Sequence, residues 1–294
     1  MTSSTTPTDS AASLTQAEKA RAFHALHTDG VLVLPNAWDV ASAVLVRDAG
    51  ARAVATTSAG VSWSLGTPDG EHLARDRAVD LIDRITSVVN EPVTADIEAG
   101  YGTDAAQVAA TTRAVLDAGA VGVNIEDSRG PNLRDQDDQA DRIAAIRTTA
   151  DAAGVPLFIN ARTDTYLLQI GDPAERLMET IRRAQAYLAA GADGIFVPGL
   201  MNAEAIRDLT TAVPAPINVM AGPGAPTVSQ LANLGVRRVS VGMAIAQAAY
   251  GHTRRAAVEL LTEGTYTELE EALDYTALNS ALSASALTFG PEMG

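Results

Sequence analysis

The sequence predicts an α/β fold, a (β/α)8 TIM barrel, on three observations. Eight short apolar runs alternate with Ala-rich stretches of helical period. "DAGARAVATTS" (48–58), "DAGAVGVNIEDS" (117–128), "AAGADGIFVPG" (189–199) and, more loosely, "NLGVRRVSVG" (233–242) repeat one plan, in which a helix stops at a glycine suited to the left-handed position and a strand follows. Polar residues collect at the carboxyl end of nearly every run, where a barrel keeps its chemistry.

In chain order, an extra helix at about 15–28 precedes strands at 31–35, 53–57, 93–96, 121–126, 157–160, 194–197, 217–220 and 239–241. Runs this apolar are buried on both faces, as in a parallel sheet. Asp39, Asp104, Asn202, and Asp172 followed by Pro173 are helix start signals, because a short polar side chain caps free N–H groups and proline fits the first helical position. Eight such units in roughly 250 residues fit a closed barrel; a doubly wound open sheet is the alternative. The domain plan is a disordered Ser/Thr-rich tail (1–13), a catalytic barrel (14–264) and a C-terminal helical extension (265–294).

The chain has 294 residues, 47% of them hydrophobic, enough for a large core. Its formal charge of −15 argues against nucleic acid and anionic membranes as partners, since both need clustered Lys and Arg. An anionic substrate would need a local counter-charge, which a bound cation supplies. With no cysteine, disulfides, thiolate metal sites and thiol nucleophiles are excluded. No apolar run approaches the roughly 18 residues of a membrane span, and the start has neither the basic nor the apolar region of a secretory signal. A cytoplasmic location is expected.

"VTADIEAGYG" (93–102) ends a strand with Asp96 and Glu98 two apart, hence on one side of it, and the next strand ends at Glu126. Such acids can cap helices or pair with arginine, and for a single acid that reading is preferred. Three at neighbouring strand ends would repel unless a cation joined them, and oxygen-only ligands suit Mg2+ or Mn2+. Thr57, Ser58, Ala59 and Gly60 offer backbone N–H groups and hydroxyls to an anion, against the reading of an ordinary loop. Arg162 can clamp a carboxylate through two N–H groups or pair with Asp164 or Glu126. Asn218 ends strand seven on the same rim. Trp63, His72 and Tyr101 stand alone and are read as packing, with Tyr101 kept as a secondary proton-donor candidate.

"PNAWDVASA", "TTSAGVSWSLGTPDG", "ADIEAGYG", "GVNIEDS", "NARTD" and "GADGIFVPG", in this order, resemble the isocitrate lyase/phosphoenolpyruvate mutase superfamily, most closely its phosphonomutase-like branch, over about residues 32–261. The resemblance implies a (β/α)8 barrel with Mg2+, a last helix exchanged between subunits of dimers and tetramers, and small 2-oxo or 2-hydroxy acid substrates whose C–C or P–C bond breaks through a metal-stabilised enolate. By position it implies Asp96 and Glu98 as metal carboxylates and Glu126 as an acid holding the metal through water. It also implies Thr57, Ser58 and Ala59 as the substrate-carboxylate loop, Asp69 as a mobile-loop acid, and Arg162 as the arginine that reaches substrate.

The departures matter. The lyases of this family carry a Lys-Lys-Cys-Gly-His type loop after strand four, whereas this chain reads "SRGPNLRDQDDQADR" (128–142), without Cys, Lys or His. The loop does not clearly match the mutase gate either, and strand six ends "FVPG" where the mutase has a histidine. The expected function is a Mg2+-dependent lyase on a small 2-oxo or 2-hydroxy carboxylate, with decarboxylation of an oxaloacetate-like acid as the specific case, because that step needs no cysteine acid. Phosphonopyruvate-type P–C chemistry and an inactive ligand-binding barrel are the alternatives. The spacing of Ile143 and Ile146 predicts a helix from Asp135 onward, which leaves 128–134 as the mobile part, and Arg134 is expected to swing in and meet a second substrate carboxylate, against the reading that the stretch only begins the helix with its charges in solvent. Leu269, Leu273, Leu278 and Leu282 give the segment 268–287 an apolar face expected to pack on a neighbouring subunit in a homotetramer, a dimer of dimers.

Overall fold

The computed structural model describes residues 14–286, so the expected tail at 1–13 lies outside the described residues, as does Leu287. Eight parallel strands form a barrel: β1 (Leu32–Leu34, continuing at Asn36–Ala37), β2 (Val54–Thr56), β3 (Val93–Asp96), β4 (Gly122–Glu126), β5 (Phe158–Arg162), β6 (Gly194–Phe196), β7 (Ile217–Met220) and β8 (Arg238–Ser240). Closure runs through the first strand. Its leading half pairs with β8, Leu34 opposite Ser240, and its trailing half with β2, Asn36 opposite Ala55. The break falls at Pro35, which has no N–H to give a ladder. The open-sheet alternative is thereby excluded.

The glycine stops do what their pattern predicts. Gly50, Gly119, Gly191 and Gly235 have φ of 95°, 85°, 106° and 90°, each just past a helix and just before a strand. A side chain would be strained in that conformation. Asp39, Asp104 and Asn202 cap their helices by accepting from Ser42, Gln107 and Ala205 N–H. Asp172 differs from expectation. Its carboxylate accepts from Ala174 N–H and its carbonyl from Glu175 and Arg176, but the helix proper starts at Arg176. The aspartate therefore heads a turn that feeds the helix.

α1 (Gln16–Leu26) opens with a capping box between Thr15 and Glu18 and lies under the amino-terminal mouth of the barrel. Gln16 Nε2 donates to the carbonyls of Leu116 and Ala120, and Phe23 and His27 pack on Phe158 at the start of β5, with ring centroids 5.5 and 3.9 Å away. That mouth is plugged, leaving the carboxyl-terminal rim for chemistry. The helix Gln136–Ala152 begins where Asp135 caps it and buries Ile143 and Ile146 completely, each worth about 1.5–3 kcal/mol. Ser128–Arg129 and Asn132–Leu133 form a small antiparallel hairpin ahead of it. At the other end, the helix Tyr275–Ala286 lies beside the helix Val40–Asp48 of its own barrel. Leu273 and Tyr275 at its start are 63% and 82% exposed, and Leu261 on the preceding helix is 85% exposed. No helix among the described residues is long and apolar enough to cross a membrane.

Candidate active site

A cavity of about 110 Å3 opens at the carboxyl-terminal rim. One side is polar: Asn36, Thr57, Ser58, Asp69, Asp96, Asn124, Arg162 and Ser240. The other is apolar: Leu167, Phe196, Pro198, Met220 and Met243. Of the residues expected from sequence, Thr57, Ser58, Ala59, Asp69, Asp96 and Arg162 line it together. Thr57 precedes and Ser58 and Ala59 begin the short helix Ser58–Ser64, whose first turn faces β3. Ser58 Oγ donates to Asp96 at 3.2 Å. Gly60 lies behind this wall, where a Cβ would come within 2.7 Å of Trp38. Asn218 is 1% exposed, in the layer beneath the cavity floor.

The acids are held differently from one another. Asp96 faces the cavity. Glu98 is buried; its carboxylate accepts from the Glu71 N–H and, at 3.0 Å, from the Tyr101 hydroxyl, while Tyr101 N–H donates to Glu71 Oε1 at 2.6 Å. All three residues have left-handed backbones, with φ of 51° for Glu98, 58° for Glu71 and 52° for Tyr101. Such strain in non-glycine residues gathers at functional sites. Glu71 was not singled out from sequence. Tyr101 does not line the cavity, and its hydroxyl is spent on Glu98, so it positions that acid rather than facing a ligand. Glu126 pairs with Arg162 at 2.7 Å and accepts from Ser128 Oγ.

Arg162 combines the two readings left open for it. Asp164 takes its Nε at 2.6 Å and Nη2 at 3.0 Å, and Glu126 takes Nη1. Of the five N–H donors of a guanidinium, two remain for a ligand in the cavity it lines. Arg134 is not brought to the cavity: its side chain turns toward Asp138, 3.7 Å away.

The electrostatics show an unmet need. Burial, then the charge of Asp96, pushes Asp69 above the usual carboxylate range. Burial pushes Glu98 to about 7, with Asp96 and Asp69 adding to the rise. Burial also raises Glu126, while Arg162 pulls it back. Among the described residues no three Asp, Glu or His side chains are arranged to cage a cation unaided. The donor set nonetheless fits Mg2+, which takes oxygen ligands, keeps several waters and needs only one or two protein carboxylates.

Comparison with known proteins bears directly on this rim. Residues 23–261 match the family model described as phosphoenolpyruvate phosphomutase. The chain belongs to this family. It is 36% identical over 186 residues to 2-methylisocitrate lyase of Escherichia coli, covering 60% of each chain. It is 30% identical over 232 residues to oxaloacetate decarboxylase of Pseudomonas savastanoi pv. phaseolicola, covering 76% of this chain and 73% of that one. The structure of oxaloacetate acetylhydrolase with 3,3-difluorooxalacetate superposes with a TM-score of 0.82 at 25% identity, over 92% of this chain and 94% of that chain. The family, the barrel and an enzyme of the lyase/mutase type are thus established for this chain.

Proposed function

We propose that this chain is a divalent-cation-dependent lyase that breaks a C–C bond in a small 2-oxo or 2-hydroxy carboxylate, with decarboxylation of an oxaloacetate-like acid as the specific reaction. The observation that carries the proposal is the cavity itself. It sets Asp69, Asp96 and Arg162 against an apolar wall in about 110 Å3, well below the roughly 300 Å3 at which pockets for larger ligands begin. A metabolite of a few carbons with an anionic head is what such a space takes. The names of the similar enzymes, two of them oxaloacetate enzymes, support the same substrate class.

Asp96, with Glu98 and Glu126 behind it, would hold Mg2+ or Mn2+, which when bound supplies a Lewis acid for the carbonyl. The chain's own residues do the rest. The two free N–H groups of Arg162 and the start of the 58–64 helix orient the substrate carboxylate. The apolar wall keeps water from the reacting carbon. In decarboxylation the C–C bond to the departing CO2 breaks, its electron pair moves toward the carbonyl oxygen, and the reacting carbon then takes a proton. Asp69, raised above the usual range and lining the cavity, is the group able to carry that proton where the family's cysteine is absent.

The test is a screen of 2-oxo and 2-hydroxy acids with Mg2+ or Mn2+, followed by product analysis. Turnover of a 2-oxo diacid, abolished by EDTA, is expected. Preferential turnover of phosphonopyruvate would move the reading to P–C chemistry. Thermal stabilisation by these acids without turnover of any of them would make the barrel a binder.

A further inference from the structure

Beneath the cavity floor lies a chain of side chains with a defined direction. Arg238 comes from β8 and points into the barrel interior, 1% exposed. Its Nη2 donates to Asn124 Oδ1 at 3.1 Å, and its guanidinium sits 5.8 Å from the Phe23 ring centroid. Among the described residues its Nε and Nη1 have no hydrogen-bond partner. A buried guanidinium without an ion-pair partner is unfavourable. Burial lowers it to about 9, against the raising influence of Asp96.

A guanidinium only donates, so the Asn124 atom it meets must be the carbonyl oxygen. Asn160 Nδ2 also donates to that oxygen, at 2.9 Å, and with its second hydrogen to Asn218 Oδ1 at 3.0 Å. Asn218 Nδ2 therefore faces the other way. It donates to Ser240 Oγ at 3.1 Å and to the Val219 carbonyl at 2.9 Å. The two ends agree: Arg238 fixes one and a backbone carbonyl fixes the other. Two consequences reach the cavity, which both Asn124 and Ser240 line. Asn124 Nδ2, for which no protein acceptor exists among the described residues, is turned toward the open space. Ser240 Oγ accepts from below, which leaves its hydrogen to donate upward.

We propose that Asn124 and Ser240 donate hydrogen bonds to negatively charged oxygens of the ligand, and that Arg238 is the positioning residue that orients Asn124 for it. This rests on the reading of the cavity as a small-oxyacid site. Run in the opposite sense, the array would turn the Asn124 oxygen to the cavity, where it would repel an anion. The array thus selects an acceptor-rich ligand at this floor from a position that no ligand touches.

Oxalate in the presence of Mg2+, measured by titration calorimetry, is the probe. Asn124→Asp keeps an acceptor for Arg238 and Asn160 but replaces the upward donor with an oxygen. Oxalate affinity is expected to fall at least about tenfold, with thermal stability not lowered because the introduced carboxylate would pair with Arg238. Unchanged affinity overturns the proposal. Arg238→Met is expected to weaken oxalate several-fold in the wild-type background and to have no further effect in the Asn124→Ala background, since it acts through Asn124. Equal losses in both backgrounds overturn the positioning role. If Arg238→Met does not fold, the Asn124→Asp result decides alone. A wild-type protein that ignores oxalate but is otherwise folded overturns the proposed function, and this inference with it.

Discussion

Glu126 and Asp127 are consecutive, the first with a side chain 16% exposed and the second fully buried, and they live in opposite electrostatic worlds. Asp127 is 0% exposed and points away from the cavity. Its Oδ1 accepts from Asp164 N–H at 2.9 Å, and its Oδ2 from Tyr187 Oη at 2.7 Å and Arg183 Nη1 at 3.2 Å. Burial raises it, but those hydrogen bonds and Arg183 offset the rise. Glu126 shares its rim with Asp96 at the end of β3 and Asp164 just past β5, and one guanidinium, Arg162, serves the group. A carboxylate whose contacts are complete holds the structure. A cluster of carboxylates that outnumbers its cations marks a candidate functional site.

The largest effect expected from breaking this contrast falls on the satisfied side. Asp127→Ala takes the buried acceptor from Tyr187 Oη and the Asp164 N–H and leaves Arg183 ion-paired to Glu179 alone, and should lower unfolding free energy by about 3–5 kcal/mol in denaturant titration, at about 1–3 kcal/mol for each donor left unsatisfied. A loss under about 1 kcal/mol would show that this network is no more than a surface-grade pair. Asp96→Ala should do the reverse. It should lower kcat/KM by about 10²–10³-fold or more while leaving stability equal or higher, because it removes charge from a repelling group. Full activity in that variant would remove Asp96 from the site.

The same contrast explains what the sequence made legible. Asp96, Glu98 and Glu126 stand at strand ends with alternating spacing, so their shared rim could be read directly, as could the eight strands from their apolar runs, four of them preceded by glycine stops. Asn124 and Ser240 stood at the same ends but carried no charge to draw attention. Arg238 was readable in principle, since i and i+2 put it on the same face as Ser240, but an arginine beside Arg237 looks like a solvated pair until the barrel closes around it. Leu167, Pro198 and Met243 come from loops after strands, where no periodicity marks an inward side chain. Arg134 shows the reverse error: a charge in a rim segment suggested a ligand contact, but the hairpin at 128–133 and the helix behind it turn it toward Asp138.

A smaller effect concerns pH. Glu98 is held near 7 against an ordinary 4.5, so the folded chain keeps this proton more tightly than the unfolded one. Its contribution to stability is therefore full below about 4.5 and is lost as pH rises through about 7. His27 works in the other direction: burial beside Arg238 lowers it to about 3 from 6.5, so stability falls as pH drops below 6.5. Glu98→Gln isolates the first trend. It should flatten the decline in thermal midpoint between about pH 5 and 8 and reduce the stabilisation that Mg2+ gives at the upper end of that range. A pH profile and Mg2+ response parallel to wild type would show that Glu98 neither titrates in this range nor serves the cation.

The smallest expected effect tests whether the rim segment belongs with the clustered acids or with the satisfied ones. The Arg134 side chain is 9% exposed; its nearest ion-pair contact is Asp138 at 3.7 Å, and its backbone carbonyl accepts from Arg183 Nη1 at 3.1 Å. Its own N–H donates to the Asp127 carbonyl at 2.7 Å. Its backbone is thus tied into the satisfied network from both sides. A charge in that position contributes little to a ligand bound among Asp96, Arg162 and Ser240. Arg134→Ala should change KM by less than about threefold, the scale of a weak surface-type ion pair, and equally for a 2-oxo diacid and for pyruvate. A rise of about tenfold or more confined to the diacid, the size of a lost charge-assisted hydrogen bond, would show that the 128–133 hairpin swings this guanidinium over the cavity to meet a second carboxylate.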